Sequence, residues 1–278
     1  MLILESAYVI NVVVFNWNYS DFLKNLLTKM EPIYNDAYFR ILICDDGSTD
    51  DSLKIINEYI SKGINNIVVF ERSELNYGRK MPYMGQIESL GKVMESDYFS
   101  SSDYYWLMDA DDYFDFSMIS AEFKRKIESS VVNFTQVKNV SKNDTYYENI
   151  KRKVCSNSLI FPTVSVTSSI IVSGYFLEKY RDLIFKEGFD DVWLDSRINM
   201  LACLLNSDEV AYIDEHVCRL IHGGNDSINM PVLRALKKQI VAHDYYRFIN
   251  RNKFLRHHRM IILLCTSKLM RLFKFERH

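Results

Sequence analysis

The chain has 278 residues with only 9 Gly and 4 Pro, long enough to bury a sizeable core and too poor in breakers for a flexible linker between separate globular units. Five scattered cysteines, none in Cys-x-x-Cys spacing, exclude a zinc knuckle and a disulfide framework and point to a reducing compartment. The formal charge of −2 hides an asymmetry, because residues 231–278 hold 12 Lys and Arg against Asp244 and Glu276, a net of +10 that leaves −12 on the first 230 residues.

No basic segment precedes the apolar start, which contains Glu5, so no secretory signal is expected. Residues 8–15 (YVINVVVF) form a β-branched run typical of a strand covered on both faces. Ser20 is placed to cap a helix whose core face is Leu23, Leu26, Leu27 and Met30. A second strand over 41–44 runs directly into Asp45-Asp46-Gly47-Ser48-Thr49-Asp50-Asp51. There Gly47 permits a tight turn, and the next residues suit the start of a helix facing the core with Leu53, Ile56 and Ile60 and closed by Lys62-Gly63.

Residues 66–70 give a third strand, Asn76-Tyr77-Gly78 a turn, and Met84, Ile87, Leu90 and Met94 another helix face. The fourth strand, Tyr104-Tyr105-Trp106-Leu107-Met108, ends in Asp109-Ala110-Asp111-Asp112. Strand and helix alternating in this way require a parallel sheet covered on both faces, which puts both acid clusters at its carboxyl edge, where open α/β sheets bind ligands. Three carboxylates so close together raise one another's pKa unless a cation, a donor or water offsets the repulsion. A solvated acidic turn is the plain alternative; a divalent-cation site of hard oxygen ligands is the functional one. The uncharged run 155–177 is long enough to span a membrane, but Pro162 and its many Ser and Thr predict buried strand segments instead.

The order VVVFNWNYSDFLKNLL, ILICDDGSTDDSL, LNYG and WLMDADDYF resembles the family 2 glycosyltransferases, closely over the first 120 residues and loosely, through FDDVWLD and RLIHGGNDS, over the next 110. The resemblance implies a GT-A-like, doubly wound, mostly parallel α/β sheet covered by helices and followed by a C-terminal helical tail. It divides the chain into a catalytic domain over 1–230, with a nucleotide-sugar half (1–120) and an acceptor half (121–230), and a basic amphipathic tail over 231–278. It also implies an inverting, non-processive hexosyl transfer from a nucleotide-diphosphate sugar to a glycan or lipid-linked acceptor in surface polysaccharide or glycoconjugate synthesis, with Mn²⁺ or Mg²⁺. Carried onto this chain, Phe15 presents its backbone to the nucleotide, Trp17 stacks on the base and Asp46 accepts from the base imide, which favours a UDP or dTDP donor. Asp109 holds the ribose hydroxyls, and Asp111 ligates the metal with Asp112 as competitor. His222 completes the metal shell, and Asp191 is the base with Asp195 as the alternative. The chain has Phe15 and Tyr19 where members often carry Pro or Thr and a basic residue, so Arg79 is left to neutralise the diphosphate.

Two other readings compete. A sugar nucleotidyltransferase needs a Gly-rich, basic phosphate loop after the first strand, which FNWNYSDF does not supply, and a phospho-receiver module would leave the second half unused. Processive synthesis is disfavoured, since no Gln-x-x-Arg-Trp segment occurs. In the tail, Leu233, Leu236 and Ile240 share a face among Arg234, Lys237 and Lys238, and the apolar run 260–264 precedes Lys268, Arg271, Lys274 and Arg277. This pairing predicts a peripheral enzyme held on an anionic membrane at its cytoplasmic face. Packing on the chain's own acidic body or on a second copy, as a homo-oligomer, is the alternative. Nucleic acid is not expected as a partner, since the acidic body would repel it and no recognition motif is present.

Overall fold

The computed structural model describes residues 8–72, 84–152, 160–225, 230–251 and the isolated positions 262, 265 and 266. Arg79 and the Asn76-Tyr77-Gly78 turn lie outside the described residues. The first half is the expected alternation: β1 (Ile10–Asn16), α1 (Ser20–Lys29), β2 (Phe39–Asp45), α2 (Ser52–Ser61), β3 (Ile67–Glu71), α3 (Met84–Glu95) and β4 (Tyr104–Asp109). The second half holds α4 (Ala121–Glu128), β5 (Val132–Val140), β6 (Thr145–Glu148), β7 (Ile170–Ser173), α5 (Gly174–Lys179), α6 (Arg181–Ile184), α7 (Leu194–Ala202), β8 (Val210–Leu220) and α8 (Val232–Ile249).

The eight strands among the described residues join one mixed sheet in the order β3-β2-β1-β4-β7-β5-β6, with β8 paired to β5. The pairs among β1 to β4 are parallel, as is β5 with β8, whereas β7 runs antiparallel to both β4 and β5. β1 is buried at every position, the consequence of a continuous apolar run lying at the centre of a doubly covered sheet. Trp106, on β4, packs against Phe114, Phe116 and Phe123, which seats the chain beyond the acid cluster on the core. Of the uncharged run near 155–177, residues 170–173 are a strand and 174–179 a helix, and no helix among the described residues is long and apolar enough to cross a membrane.

Two local expectations need correction. Ser20 does not cap α1 with its side chain; it is the helix's first residue, and its amide donates to the Asp50 carboxylate at 2.9 Å. The loop that brings Asp50 there is held by Asn18, in left-handed backbone, whose amide oxygen accepts from the Thr49 and Asp50 amides. On α2 the buried stripe is Ser52, Ile55, Ile56 and Tyr59, while Ile60 is exposed. Tyr59 takes the inward place because its hydroxyl reaches Thr28 Oγ1 at 3.0 Å, which gives the polar tip of an otherwise apolar ring a partner.

The helix α8 packs on the body. Ala242, Tyr245 and Ile249 are buried, Tyr245 Oη donates to the Leu183 carbonyl at 3.0 Å, and Leu236 and Ile240 pack, with Phe161, against the buried Ile160. Within α8, therefore, two of the three apolar residues read as a membrane face are turned to the protein itself.

Candidate active site

Strand register builds the site. Phe15 lies opposite Cys44 and Asp109, and Asn16 opposite Asp45, so the ends of β1, β2 and β4 bring both acid clusters to one edge. The cleft above that edge holds about 1090 Å³, its open mouth included, and is lined by Phe15, Trp17, Asp46, Gln86, Asp109 and Asp111, among others. Asp45 is structural: its oxygens accept from Asn16 Nδ2 at 2.7 Å and from the Ser48 amide and hydroxyl. Asp46 is pinned by Arg72 at 2.7 Å, and Arg72 reaches Glu88 with its other nitrogen. The Phe15 carbonyl accepts the Ala110 amide at 3.0 Å, while Trp17 stands partly exposed at the cleft wall.

The close approach of α3 to Asp46 depends on Gly85, where an added Cβ would sit 2.3 Å from Asp46 Oδ2. Because the obstacle is the end of a side chain, Gly85→Ala should displace the carboxylate rather than unfold the helix. We expect a nearly unchanged melting temperature and, in a crystal structure of the variant, an Asp46 carboxylate moved away from its contact with Arg72.

The three acids of 109–112 have separate surroundings. Asp112 is buried with both oxygens engaged, Oδ2 accepting from the Ser168 hydroxyl at 2.7 Å and Oδ1 from the Leu220 amide at 3.0 Å. Ser168 ties the region together, since its Oγ also accepts the Asp109 amide and its carbonyl accepts Trp106 Nε1. Asp109 Oδ1 accepts from Gln86 Nε2 at 2.5 Å. Asp111 Oδ2 receives His222 Nε2 at 2.9 Å and Asn225 Nδ2 at 3.0 Å. Because His222 Nδ1 accepts the Gly224 amide at 3.1 Å, the ring proton sits on Nε2 and points at Asp111. Phe22 stacks on that ring with centroids 4.6 Å apart, and Tyr19 meets it edge-on.

Ligand oxygens of Asp109, Asp111 and Asp112 lie within 4.8 Å of one another, a group of hard donors that fits a divalent cation. The electrostatics agree. Burial and then the neighbouring Asp111 and Asp112 charges raise the Asp109 carboxyl well above the ordinary range, and burial and Asp111 push Asp112 up to about 7, against the opposing Ser168 and Leu220 hydrogen bonds. Carboxyls with raised pKa hold protons in the folded chain that the unfolded chain has already released, so stability falls as pH rises between roughly 4 and 7. Melts in EDTA should therefore drop from pH 5 to pH 7.5, and Mn²⁺ should recover the loss at pH 7.5, where a cation beside the cluster would offset the repulsion among the three charges. A flat profile in EDTA would contradict this.

The acid pair near α7 divides. Asp195 and Trp193 line the cleft, and the Asp195 charge acts on Asp109, whereas Asp191 is buried and ion-paired to Lys237 Nζ at 2.6 Å. Arg197 is buried beneath, its guanidinium donating to the carbonyls of Val192, Ile184, Lys186 and Phe189 and so fixing the chain that leads to α7. Four residues of the site went unmarked by the sequence pattern: Gln86, Ser168, Arg219 and Asn225. Arg219 lines the cleft, and its charge lowers the pKa of both Asp109 and Asp112. The RLIHGGNDS segment contained both Arg219 and Asn225, and its strand reading, once made, would have pointed them toward the acids.

No protein-family model matches the chain. Among curated proteins it is similar to the uncharacterized glycosyltransferase MG025 of Mycoplasma genitalium, with 27% identity over 115 residues, 40% of this chain and 34% of that protein. The match thus spans about a third of the relative's length. Among solved structures it is similar to residues 1–349 of S. aureus TarS, with a TM-score of 0.57 and 16% identity over 97% of this chain and 73% of that one, a structure also solved with UDP-GlcNAc. It is also similar to the mannosyltransferase PcManGT from Pyrobaculum calidifontis in complex with GDP-Man and Mn²⁺, with a TM-score of 0.52 and 9% identity over 94% and 69% of the two chains. These structural likenesses establish the shared fold, a mixed α/β sheet flanked by helices.

Proposed function

We propose that this chain transfers a sugar from a nucleotide-diphosphate donor to an acceptor hydroxyl in a single inverting displacement. The observation that carries the reading is one cleft holding both a buried acid cluster, Asp109 to Asp112, and a separate carboxylate, Asp195, with Arg219 also in its wall. The fold shared with proteins solved with UDP-GlcNAc and GDP-Man supports it.

On this reading Trp17 stacks on the base, Asp46 accepts from its imide with Arg72 fixing the carboxylate, and Asp109 receives the ribose hydroxyls. The imide contact favours a UDP- or dTDP-sugar. Asp111 would hold Mn²⁺ or Mg²⁺, and His222 would join it through Nε2 once the ring proton leaves that nitrogen. When bound, the cation would supply Lewis-acid stabilisation of the leaving diphosphate. Asp112, committed to Ser168 and Leu220, is a positioning group and not a ligand. Arg219 supplies the positive charge toward the diphosphate that had been sought in Arg79. Asp195 takes the acceptor proton as the acceptor oxygen bonds the anomeric carbon and the diphosphate leaves with the bonding electrons, so the configuration inverts. Asp191 holds the loop through Lys237 instead of acting as the base.

The acceptor is a glycan or lipid-linked saccharide, and the basic C-terminal segment draws the enzyme to an anionic membrane. With part of the α8 apolar face covered by the body, the remaining contact falls on basic side chains and on residues after α8. A panel of UDP-, dTDP- and GDP-sugars with Mn²⁺, read by nucleoside-diphosphate release, tests the reading. Release from a UDP- or dTDP-sugar is expected, and no release from any donor would reject it.

A further inference from the structure

We propose that Lys237 and Lys238 of α8 are positioning residues that set the acceptor side of the cleft, so that the C-terminal helix is a working part of the transferase site and not an appended tail. The inference rests on the nucleotide-sugar reading of the cleft. Lys237 Nζ lies 2.6 Å from Asp191 Oδ2, and Lys238 Nζ lies 3.0 Å above the Trp193 ring centroid. Trp193 is extended (φ −67, ψ 159) and follows a turn closed by the Val192 amide on the Phe189 carbonyl. Two consecutive helical lysines, about 100° apart around α8, take hold of side chains two residues apart in this segment just before α7.

Beyond the grip lie the residues that matter. Trp193 lines the cleft, the fully buried Leu194 begins α7, and Asp195 follows in the cleft wall. The same segment is fastened by aromatic contacts, with Phe189 5.2 Å from Tyr245 and 5.7 Å from Phe248, and Arg197 lies 5.5 Å from the Tyr245 ring while holding four carbonyls of residues 184–192. All these contacts fall on residues 184–197, the acceptor side. The donor-side residues come from the carboxyl edge of the sheet, Phe15 and Asp109 from β1 and β4 and Trp17 and Asp46 from the positions just after β1 and β2.

Losing Lys237 removes an ion pair from the buried Asp191 carboxylate, and losing Lys238 removes the cation from the face of Trp193. Either change lets the Trp193–Asp195 wall shift, and a shift near 1 Å at a reacting group is costly for rate while leaving the opposite, donor-side wall of the same cleft in place. Lys→Arg at either place keeps the charge and, over an indole, stacks well.

The test uses the full chain with Lys237→Met, Lys238→Met and the two Arg counterparts. Three quantities are read: UDP affinity in Mn²⁺ by calorimetry, UDP release from UDP-GlcNAc with water as acceptor, and amide exchange over 189–195. The Met variants should keep UDP affinity within about twofold, exchange faster over 189–195 and hydrolyse about tenfold or more slowly, with both defects restored by Arg. Met variants with wild-type rate and exchange overturn the inference. So does a parallel loss of UDP affinity and rate, which would mark a general structural defect. If the wild-type chain neither binds UDP nor hydrolyses UDP-GlcNAc, the nucleotide-sugar reading falls and exchange judges the grip. Faster exchange confined to 189–195 then supports the positioning contacts, and unchanged exchange overturns them.

Discussion

Asp111→Ala is expected to abolish turnover and to remove the Mn²⁺-dependent part of nucleotide affinity. Asp111 stands apart from its neighbours because of what it is bonded to. Asp112 gives one oxygen to Ser168 and the other to a strand amide, and Asp109 is engaged by Gln86, whereas Asp111 meets the mobile-proton side chain His222 and the Asn225 amide. A cation can displace those two donors without breaking the sheet, but it cannot enter Asp112's bonds without disturbing both the Ser168 turn and β8. The loss in rate should be at least about 10³-fold, in line with several kcal/mol of leaving-group stabilisation. Asp112→Asn should instead keep both contacts, its amide oxygen accepting from the Leu220 amide and its nitrogen donating to the Ser168 hydroxyl, and should flatten the fall in melting temperature with rising pH in EDTA, because the buried charge is gone. An Asp111→Ala enzyme with full activity would remove the metal from the account.

Asp195→Asn is expected to lower kcat by roughly 10²- to 10⁴-fold while UDP binding and metal affinity stay near wild type, the pattern of a group acting in the transition state. The geometry separates it from Asp191, one helical turn away in sequence. Asp195 faces the cleft with Trp193, and Asp191 is buried against Lys237. Asp191→Asn should therefore act through the loop, with faster amide exchange near 189–193 accompanying any fall in rate. If Asp191→Asn alone lowers kcat with exchange unchanged, the two roles must be exchanged.

The first half of the chain was legible because its signals are local and repeated. The buried run of β1, the acids that end β2 and β4, and the alternation of strand with helix leave one arrangement for the sheet, and the register Phe15 to Asp109 and Asn16 to Asp45 follows from it. What escaped depends on pairing between distant segments. Ser168 organises the acid cluster from a turn 56 residues beyond Asp112. Lys237 takes Asp191, and nothing in FDDVWLD marks which acid a later helix will claim. Arg219 becomes a cleft residue only because β8 runs parallel along β5 and carries RLIHGGN to the acids. The helix starts shifted for a related reason, since Asp50 and Asn18 supply across a loop what a local cap supplies in sequence. The tail's apolar stripe was visible, but its partner was not, because Ile160 lies about 75 to 80 residues upstream of Leu236 and Ile240.

Titrating UDP into the full chain by calorimetry, once with Mn²⁺ and once with EDTA, shows whether the acid cluster binds a nucleotide-sugar diphosphate through a divalent cation. Saturable one-to-one binding is expected in Mn²⁺, weakened at least about tenfold in EDTA and to the same degree in Asp111→Ala with Mn²⁺ present. Equal affinity in Mn²⁺ and EDTA, or no binding in either, would contradict it.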